Sequence, residues 1–377
     1  MDFDFTDEQK MMRDGLSRLI AQKYTFEDRH KAVASKTGWR PDLWAEFAEM
    51  GLMMAPLPEE MGGLSGDAID AMIIMEEFGK GLVIEPYLQS VICAGSLIRN
   101  AGNDTQKAEL GEKITSGEAI FAPAIYEAEG RFNPAFVATS AKKNGSDYLL
   151  NGNKAVVFGG PMSDSFIVSA RASGATSDET GISLFVVNKD QTGLTTQNYT
   201  TVDGLQASEL FLEDVAVSGA SVLGEVGGAF AHIEQMRDHA IAAICAEAVG
   251  LMTVANAQTI EYAKTRKQFG VPISSFQVLQ HAMVNMLIAL EEAKSMALLA
   301  AIECAGDDAK ARAKACAAAK VKIGQSARII GQNAIQIHGG MGMTNELAIS
   351  HYFKRLTMID AQFGNVDYHM RRYGEMD

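Results

Sequence analysis

Apolar residues recur at helical spacing from Thr6 to about Ser116, as in Met11, Leu16, Leu19 and Ile20 or Met72, Ile73, Met75 and Phe78. That period turns one face of each segment toward a core and predicts a helical domain over residues 1–117. From about Glu118 the period falls to two. Tyr148-Leu149-Leu150 and Ala155-Val156-Val157 flank Asn151-Gly152, and Phe166-Ile167-Val168 and Ser183-Leu184-Phe185-Val186-Val187 follow. An Asn-Gly pair between apolar runs signals a hairpin, so residues 118–226 read as an antiparallel β domain. From about Gly228 to Met370 the chain is helical again and rich in Ala. Three helices of roughly 25 residues each, against a usual ~11, predict a C-terminal four-helix bundle over residues 227–377. Its apolar faces exceed what one copy can cover, so it doubles as an oligomerisation domain. The fold class expected is α+β, mostly α.

Charge narrows the partners. The chain holds 33 Lys+Arg against 47 Asp+Glu, a net charge of −14. Such a surface argues against nucleic acid and anionic membranes as main partners. A phosphate-bearing ligand must therefore be met by a local basic cluster such as Arg266 and Lys267. The four cysteines, Cys93, Cys245, Cys304 and Cys316, have no metal-ligand spacing and read as buried free thiols in a reducing compartment. Met1-Asp2-Phe3-Asp4 opens acidic, without a basic or apolar targeting segment, and no run of 18 apolar residues follows; a cytoplasmic protein is expected.

Two runs carry candidate chemistry. Arg266-Lys267-Gln268-Phe269-Gly270 ends one helical pattern and turns through Gly270 and Pro272 into the next near Ser275, while Gln336-Ile337-His338-Gly339-Gly340-Met341-Gly342 ends another at paired glycines. Amides freed at a glycine-rich helix end favour anions, and a guanidinium offers bidentate, charge-assisted bonds, a combination suited to a pyrophosphate. Each run taken alone also reads as an ordinary helix end, with Phe269 and Phe276 as core residues and His338 as a helix-end hydrogen-bond donor.

Together these runs make the chain resemble the acyl-CoA dehydrogenase family of flavoproteins over nearly its whole length. Phe5-Thr6-Asp7-Glu8-Gln9 is similar to the family's opening helix, and Leu57-Pro58-Glu59-Glu60-Met61-Gly62-Gly63 to its Pro-Glu-Glu-x-Gly-Gly turn. Tyr148-Leu149-Leu150-Asn151-Gly152-Asn153-Lys154 resembles its Leu-Asn-Gly-x-Lys segment, and Leu210-Phe211-Leu212-Glu213-Asp214-Val215 with Leu223-Gly224-Glu225 the end of its β domain. The resemblance implies oxidation of an acyl-CoA to the trans-2-enoyl-CoA: a base takes the α-proton while the β-hydrogen leaves as hydride to FAD. It also implies an electron-transferring flavoprotein as acceptor and a dimer of dimers. Position by position, Arg266 matches the family's pyrophosphate arginine, which reaches FAD held by a neighbouring subunit. Gln268 and Phe269 follow it; Phe276, Gln277 and Gln280 match contacts to the adenosine half; Gln336, His338, Gly339 and Gly340 complete that end.

The departures fall on the catalytic side. The family's Tyr-Glu-Gly-Thr segment, which carries its base, reads Gln362-Phe363-Gly364-Asn365 here, and a phenyl ring cannot take a proton. The minority position, on the helix before Val249-Gly250-Leu251, holds Ala240. Asp360 is the nearest candidate for a relocated base, with a surface or capping carboxylate as its ordinary reading. Glu247 lies on the face of Ala240 but about 10 Å further along the helix and reads as structural. Where the family runs Thr-Glu-Pro-x-Ala-Gly-Ser-Asp along the flavin, the chain has Tyr126-Glu127-Ala128-Glu129-Gly130-Arg131-Phe132-Asn133, and Val156-Val157-Phe158 replaces Trp-Ile-Thr. Tyr126, Phe132 or Phe158 would cover a flavin or fill its place.

This asymmetry resembles the small or β-type subunit of heteromeric bacterial acyl-CoA dehydrogenases of pimeloyl-CoA or steroid side-chain catabolism, in which a second subunit carries the base and flavin pocket. Met1-Asp2-Phe3-Asp4-Phe5, Cys245-Ala246-Glu247-Ala248-Val249-Gly250 and Leu356-Thr357-Met358-Ile359-Asp360 match that subgroup. Two alternatives stand beside it: a homomeric dehydrogenase with a relocated base, and a flavin-free structural or regulatory scaffold.

Overall fold

The computed structural model of the chain describes residues 5–376, so the opening Met1–Asp4 lies outside the described residues. Thr6 starts the first helix with a capping box: its hydroxyl accepts from Gln9 N, and the Gln9 amide oxygen accepts from Thr6 N. Among the described residues, six α-helices precede the first strand, α1 (Asp7–Lys23), α2 (Phe26–Ala34), α3 (Pro41–Glu49), α4 (Ala68–Gly81), α5 (Gly95–Ala101) and α6 (Asp104–Thr115), with a π-helical segment, Leu88–Ala94, leading into α5. The Leu57–Gly63 run forms a short 3-10 turn over Glu59–Met61.

The strands are β1 (Phe121–Ala124), β2 (Ser140–Asn144), β3 (Asp147–Phe158), β4 (Ser165–Arg171), β5 (Ile182–Asn188), β6 (Leu194–Thr200), β7 (Gln206–Val217) and β8 (Val222–Leu223). They pair in the order β6-β7-β3-β2-β4-β5-β8, mostly antiparallel, with β1 added parallel to β4. Leu150, Phe166, Val168, Phe185, Leu210 and Leu212 pack together in the core on this sheet.

The predicted hairpin is displaced. Asn151-Gly152 is not a turn but a bulge inside the continuous strand β3, where the pairing with β7 shifts between Leu150 and Gly152. Asn151 is held there by Asp214, whose backbone N–H donates to its amide oxygen and whose carboxylate accepts from its amide nitrogen. The turn lies earlier, at Gly145-Ser146 between β2 and β3, where Asn144 pairs with Asp147. Polar residues on both sides of Gly145-Ser146 allow it to sit in water, whereas apolar residues flanking Asn151-Gly152 are needed in the sheet.

The C-terminal helices are longer than expected: α7 (Phe230–Thr265) has 36 residues, α8 (Gln277–Ala305) 29 and α9 (Ala309–His338) 30. Between α7 and α8 lie the two-residue strands β9 (Lys267–Gln268) and β10 (Val271–Pro272); α10 (Ala348–Ala361) and α11 (Val366–Glu375) close the chain. By length and composition α7 is apolar enough to span a bilayer, but 83% of its most apolar window is buried inside the protein, as in a core helix.

Contacts divide the chain into two compact units. One comprises Met1–Ala34, Ala68–Val83 and Ile241–Asp377, and the other Ser35–Asp67 and Ile84–Ala240. Within the first, α4 and α7 approach to backbone contact. A Cβ on Gly79 would lie 2.0 Å from the Glu247 carbonyl oxygen, and one on Gly250 would lie 2.0 Å from that of Glu76. Only glycine allows this approach.

Candidate functional site

At the end of α7 the backbone N–H of Arg266 donates to the Tyr262 carbonyl, and Ile273 N–H returns to the Arg266 carbonyl. Gln268 pairs with Val271, leaving Phe269-Gly270 as a two-residue turn with φ of 54° and 82°. Two positive φ angles are the requirement of the tight hairpin turn that Asn-Gly normally supplies. A phenylalanine at the first position is strained, and its ring is 92% exposed, edge-on to Phe276 at 6.1 Å. Among the described residues its one ring contact is with Phe276. Beside it, the exposed Arg266 guanidinium has no hydrogen-bond or ion-pair partner among the described residues.

The second run meets the first through a pair of rings. His338 stacks on Tyr262 at 4.3 Å, and the Tyr262 hydroxyl donates to the His338 carbonyl at 3.4 Å. The Nδ1–H of His338 donates to the Ala334 carbonyl at 2.8 Å. Burial lowers the His338 pKa against the opposing effect of that bond, so the ring is neutral near pH 7. His338 is therefore a buried strut whose ring fixes the following turn. Gly339 and Gly340 are exposed, and a Cβ on either would meet nothing within 4 Å. Packing inside the chain thus gives no reason for a missing side chain at Gly340. Gln268, Gln277 and Gln336 are also exposed, whereas Gln280 uses its amide to hold the Ser274 carbonyl at 2.9 Å.

Sequence reasoning missed Tyr262. The available signal was its place one turn before Arg266, on the same helix face. An unpaired guanidinium, an exposed aromatic and an open diglycine on one compact unit fit the pyrophosphate and adenine end of a dinucleotide such as FAD.

The turn after α10 is built in the opposite way. Phe363 is half-buried and left-handed, with φ 56°. Three buried side chains grip the backbone and side chains around it. Lys320 donates to the carbonyls of Ile359 (2.7 Å), Asp360 (2.9 Å) and Gly364 (2.7 Å). Arg355 holds both carboxylate oxygens of Glu247, at 2.5 and 2.7 Å, and reaches Gln362 Oε1 at 2.9 Å. His369 Nε2–H donates to the Phe363 carbonyl at 2.9 Å. Burial lowers the Lys320 pKa to about 8, partly opposed by Cys245 and Asp360. Glu247 is thus the anionic half of a buried ion pair. Ala240, at the other base position, is fully buried.

Asp360 faces elsewhere. Its carboxylate lies over α9, where a Cβ on Gly324 would come within 2.4 Å of Oδ1, and that buried oxygen has no hydrogen-bond partner. The residue lines a cavity of about 440 Å3 with Gln325, Arg328, Asn365 and Asp367.

The other compact unit holds the two altered strand segments. Glu127 accepts from the N–H groups of Ala138 and Thr139 and pairs with fully buried Lys154 at 2.7 Å. Burial lowers the Lys154 pKa to about 8 despite that partner. On either side of this anchor the backbone is left-handed: Arg131 has φ 50°, and Val156 has φ 52° with 46% exposure. A β-branched residue at positive φ is an outlier, and such strain gathers where local geometry serves a site. Tyr126, Phe132 and Phe158 are half-buried.

Models of the acyl-CoA dehydrogenase N-terminal, middle and C-terminal domains match residues 6–118, 122–215 and 230–375. The probable acyl-CoA dehydrogenase YngJ of Bacillus subtilis (strain 168) is 31% identical over 366 residues, covering 96% of this chain and 95% of its own. The caffeyl-CoA reductase-Etf complex subunit CarC of Acetobacterium woodii is 28% identical over 355 residues, covering 93% of each. Among solved structures, a chain of the ChsE4-ChsE5 complex from Mycobacterium tuberculosis superposes with a TM-score of 0.89 at 22% identity, covering 100% of this chain and 98% of that one. This last likeness is one of fold.

Proposed function

The chain belongs to the acyl-CoA dehydrogenase family of oxidoreductases acting on acyl-CoA, and from that premise we propose that it is the diverged, base-lacking subunit of a heteromeric FAD-dependent acyl-CoA dehydrogenase. One observation carries this reading. The turn at the base position keeps a full set of buried supports, Lys320, Arg355 and His369, yet presents Phe363. A framework retained around a residue that cannot move a proton suits a subunit whose turn shapes or fills a site while another chain does the chemistry.

In this reading Arg266 binds pyrophosphate across the subunit interface, by charge-assisted bonds that its lack of a partner among the described residues leaves available. Phe269 covers the adenine side, and Gly339 and Gly340 let backbone approach the ligand. Tyr262 and His338 keep these two groups in register. When bound, FAD supplies the acceptor for the β-hydride. The α-proton goes to a carboxylate of the partner subunit, because a base must lie within hydrogen-bond reach of the proton it removes and Phe363 and Ala240 offer none. The proposed assembly is a dimer of dimers in the cytoplasm, working on an acyl-CoA of fatty acid or steroid catabolism and passing electrons to an electron-transferring flavoprotein. The complex named for the ChsE4-ChsE5 structure and the Etf complex named for CarC support the two partner assignments.

The test is the absorbance and activity of the chain purified alone and after coexpression with a base-bearing dehydrogenase subunit. A colourless, inactive chain that becomes yellow and active on assembly is expected. Flavin binding and robust turnover by a verified homo-oligomer defeats the proposal and favours a second reading, in which Asp360, which lines a cavity and has a carboxylate oxygen without a hydrogen-bond partner, is a relocated base. Loss of that turnover in Asp360→Asn would establish the second reading.

A further inference from the structure

Two cysteines that the proposed chemistry does not use lie in contact at the closed end of the α8–α9 hairpin. Cys304 is the penultimate residue of α8, Cys316 sits near the start of α9, and their Sγ atoms are 3.6 Å apart. The helices are joined by Gly306-Asp307-Asp308 alone, and Asp308 caps α9 through bonds from Lys310 N and Ala311 N to its carboxylate. Both chain directions are thus fixed beside the sulfurs. Closing 3.6 Å to a bond of about 2.05 Å asks for side-chain rotation and a small shift of helix ends, not a rearrangement of the hairpin.

Access is graded along the pair. Cys304 is 5% exposed and Cys316 0%, while residues 305–310 are exposed. Terminal helical turns open at far lower cost than the whole fold, so opening the last turn of α8 delivers Cys304 to solvent while Cys316 stays behind it. A third thiol, Cys245 of α7, is close enough to Cys304 and Lys320 to interact with both, but burial pushes its pKa up to about 12, and it stays protonated. Cys93 is buried in the other compact unit.

We propose that Cys304 and Cys316 form a redox modification site, which a hydroperoxide converts to an intrachain disulfide that staples the closed end of the hairpin. The Cys304 thiolate attacks the peroxide oxygen; the O–O bond breaks, giving Cys304 sulfenic acid and an alcohol, or water from hydrogen peroxide. The Cys316 sulfur then attacks the sulfenic sulfur, forming the S–S bond and releasing water. The two thiols give up two electrons, and the peroxide takes them. A sulfur already in contact with its resolving partner is captured before further oxidation.

The consequence is mechanical and local. Cys304 lies 27 residues after Gln277, so the staple is about 40 Å along α8 from the candidate flavin edge. It should raise the unfolding midpoint and slow unfolding while changing the flavin affinity of the assembled complex less than twofold. The experiment treats the full-length native chain with one equivalent of hydrogen peroxide, then quenches, denatures, alkylates and maps the peptides. Expected results are a fall in free thiols from the initial four to half that number, a Cys304–Cys316 crosslinked peptide, and reversal of both the crosslink and the midpoint shift by dithiothreitol. Cys304→Ser and Cys316→Ser should each abolish the shift, and Cys245→Ser should preserve it. A crosslink through Cys245 or Cys93, conversion of Cys304 to sulfinic acid without a crosslink, or an unchanged thiol count when the unfolded chain oxidises under the same conditions would overturn the proposal.

Discussion

The edge at Arg266 and the turn at Phe363 differ in what holds them. At the edge, a guanidinium has no partner among the described residues, a phenyl ring stands in water and two glycines face open space. At the turn, Lys320, Arg355 and His369 engage the carbonyls of Ile359, Asp360, Phe363 and Gly364 and the Gln362 amide oxygen, while Asp360 Oδ1 and Gln362 Nε2 stay buried without hydrogen-bond partners. Both contain a strained phenylalanine with positive φ, at 54° and 56°. An unpaired group costs little on a surface and is available to bind; buried groups already bonded to one another give shape and have less left to offer a ligand. The difference separates an open surface from a turn shaped by its own buried supports.

The comparison breaks most sharply at Arg355. Removing its side chain by Arg355→Ala leaves Glu247 buried without its bidentate partner and should cost about 3–5 kcal/mol of stability, read from urea unfolding. A cost below ~1 kcal/mol would show that the turn does not depend on this network. Phe363→Glu tests the same region from the other direction. It should yield no enoyl-CoA in the homo-oligomer with FAD and a panel of acyl-CoAs, and should lower stability, since a carboxyl group must ionise at a cost or remain protonated. Clear turnover would mean that the site lacked a base and nothing else.

At the open edge the expected effect is on binding. Arg266→Ala should weaken FAD binding in the assembled complex by about 10- to 150-fold, corresponding to roughly 1.5–3 kcal/mol, while leaving the chain's own unfolding midpoint in place. Unchanged flavin affinity in a correctly assembled complex removes the assignment.

Lys320 gives the contrast a pH signature. Its folded pKa of about 8 lies below the ordinary 10.5, so between those values the unfolded chain binds more protons, and this group makes stability rise with pH. Its burial penalty is fully present below pH 8 and is relieved through that window. Lys154 has the same sign, so the wild-type slope contains both contributions. Lys320→Met should reduce the positive slope between pH 8 and 10.5 without removing it; an identical slope would place Lys320 in a more hydrated setting.

The smallest effect is expected at Phe269. Phe269→Gly relieves the left-handed strain but adds freedom to the unfolded chain, so stability should change by less than about 1 kcal/mol, while FAD affinity of the complex falls. A large loss of stability would make Phe269 a folding residue and the edge less distinct from the turn.

How much of this could be read beforehand depended on period and on partners. Helical spacing exposed the α-helices at both ends of the chain, and alternation exposed strands such as Phe166-Ile167-Val168. The hairpin was misplaced because Asn-Gly occurs twice within nine residues, and the pair flanked by apolar residues became a bulge held by Asp214. The candidate edge residues stood in two recognisable runs. Lys320 did not stand out, because a lysine in an Ala-rich helix usually reaches water, and its three carbonyl partners come from the far end of another helix and the turn beyond it. Tyr262 was hidden in the same way, since its partner His338 is distant in sequence.

The two kinds of glycine offer a way to draw a map of this chain. Gly79 and Gly250 are steric keyholes, each filled by a carbonyl from the opposite helix, whereas Gly340 opens onto empty space. A saturation library sorted only for folded protein should reject every replacement at the first two positions and accept many at Gly340. Sorted again for retained cofactor, the same library should turn against Gly340. The positions that tolerate substitution in the first sort and refuse it in the second would trace the ligand's outline on the chain, independently of any assumption about which ligand it is.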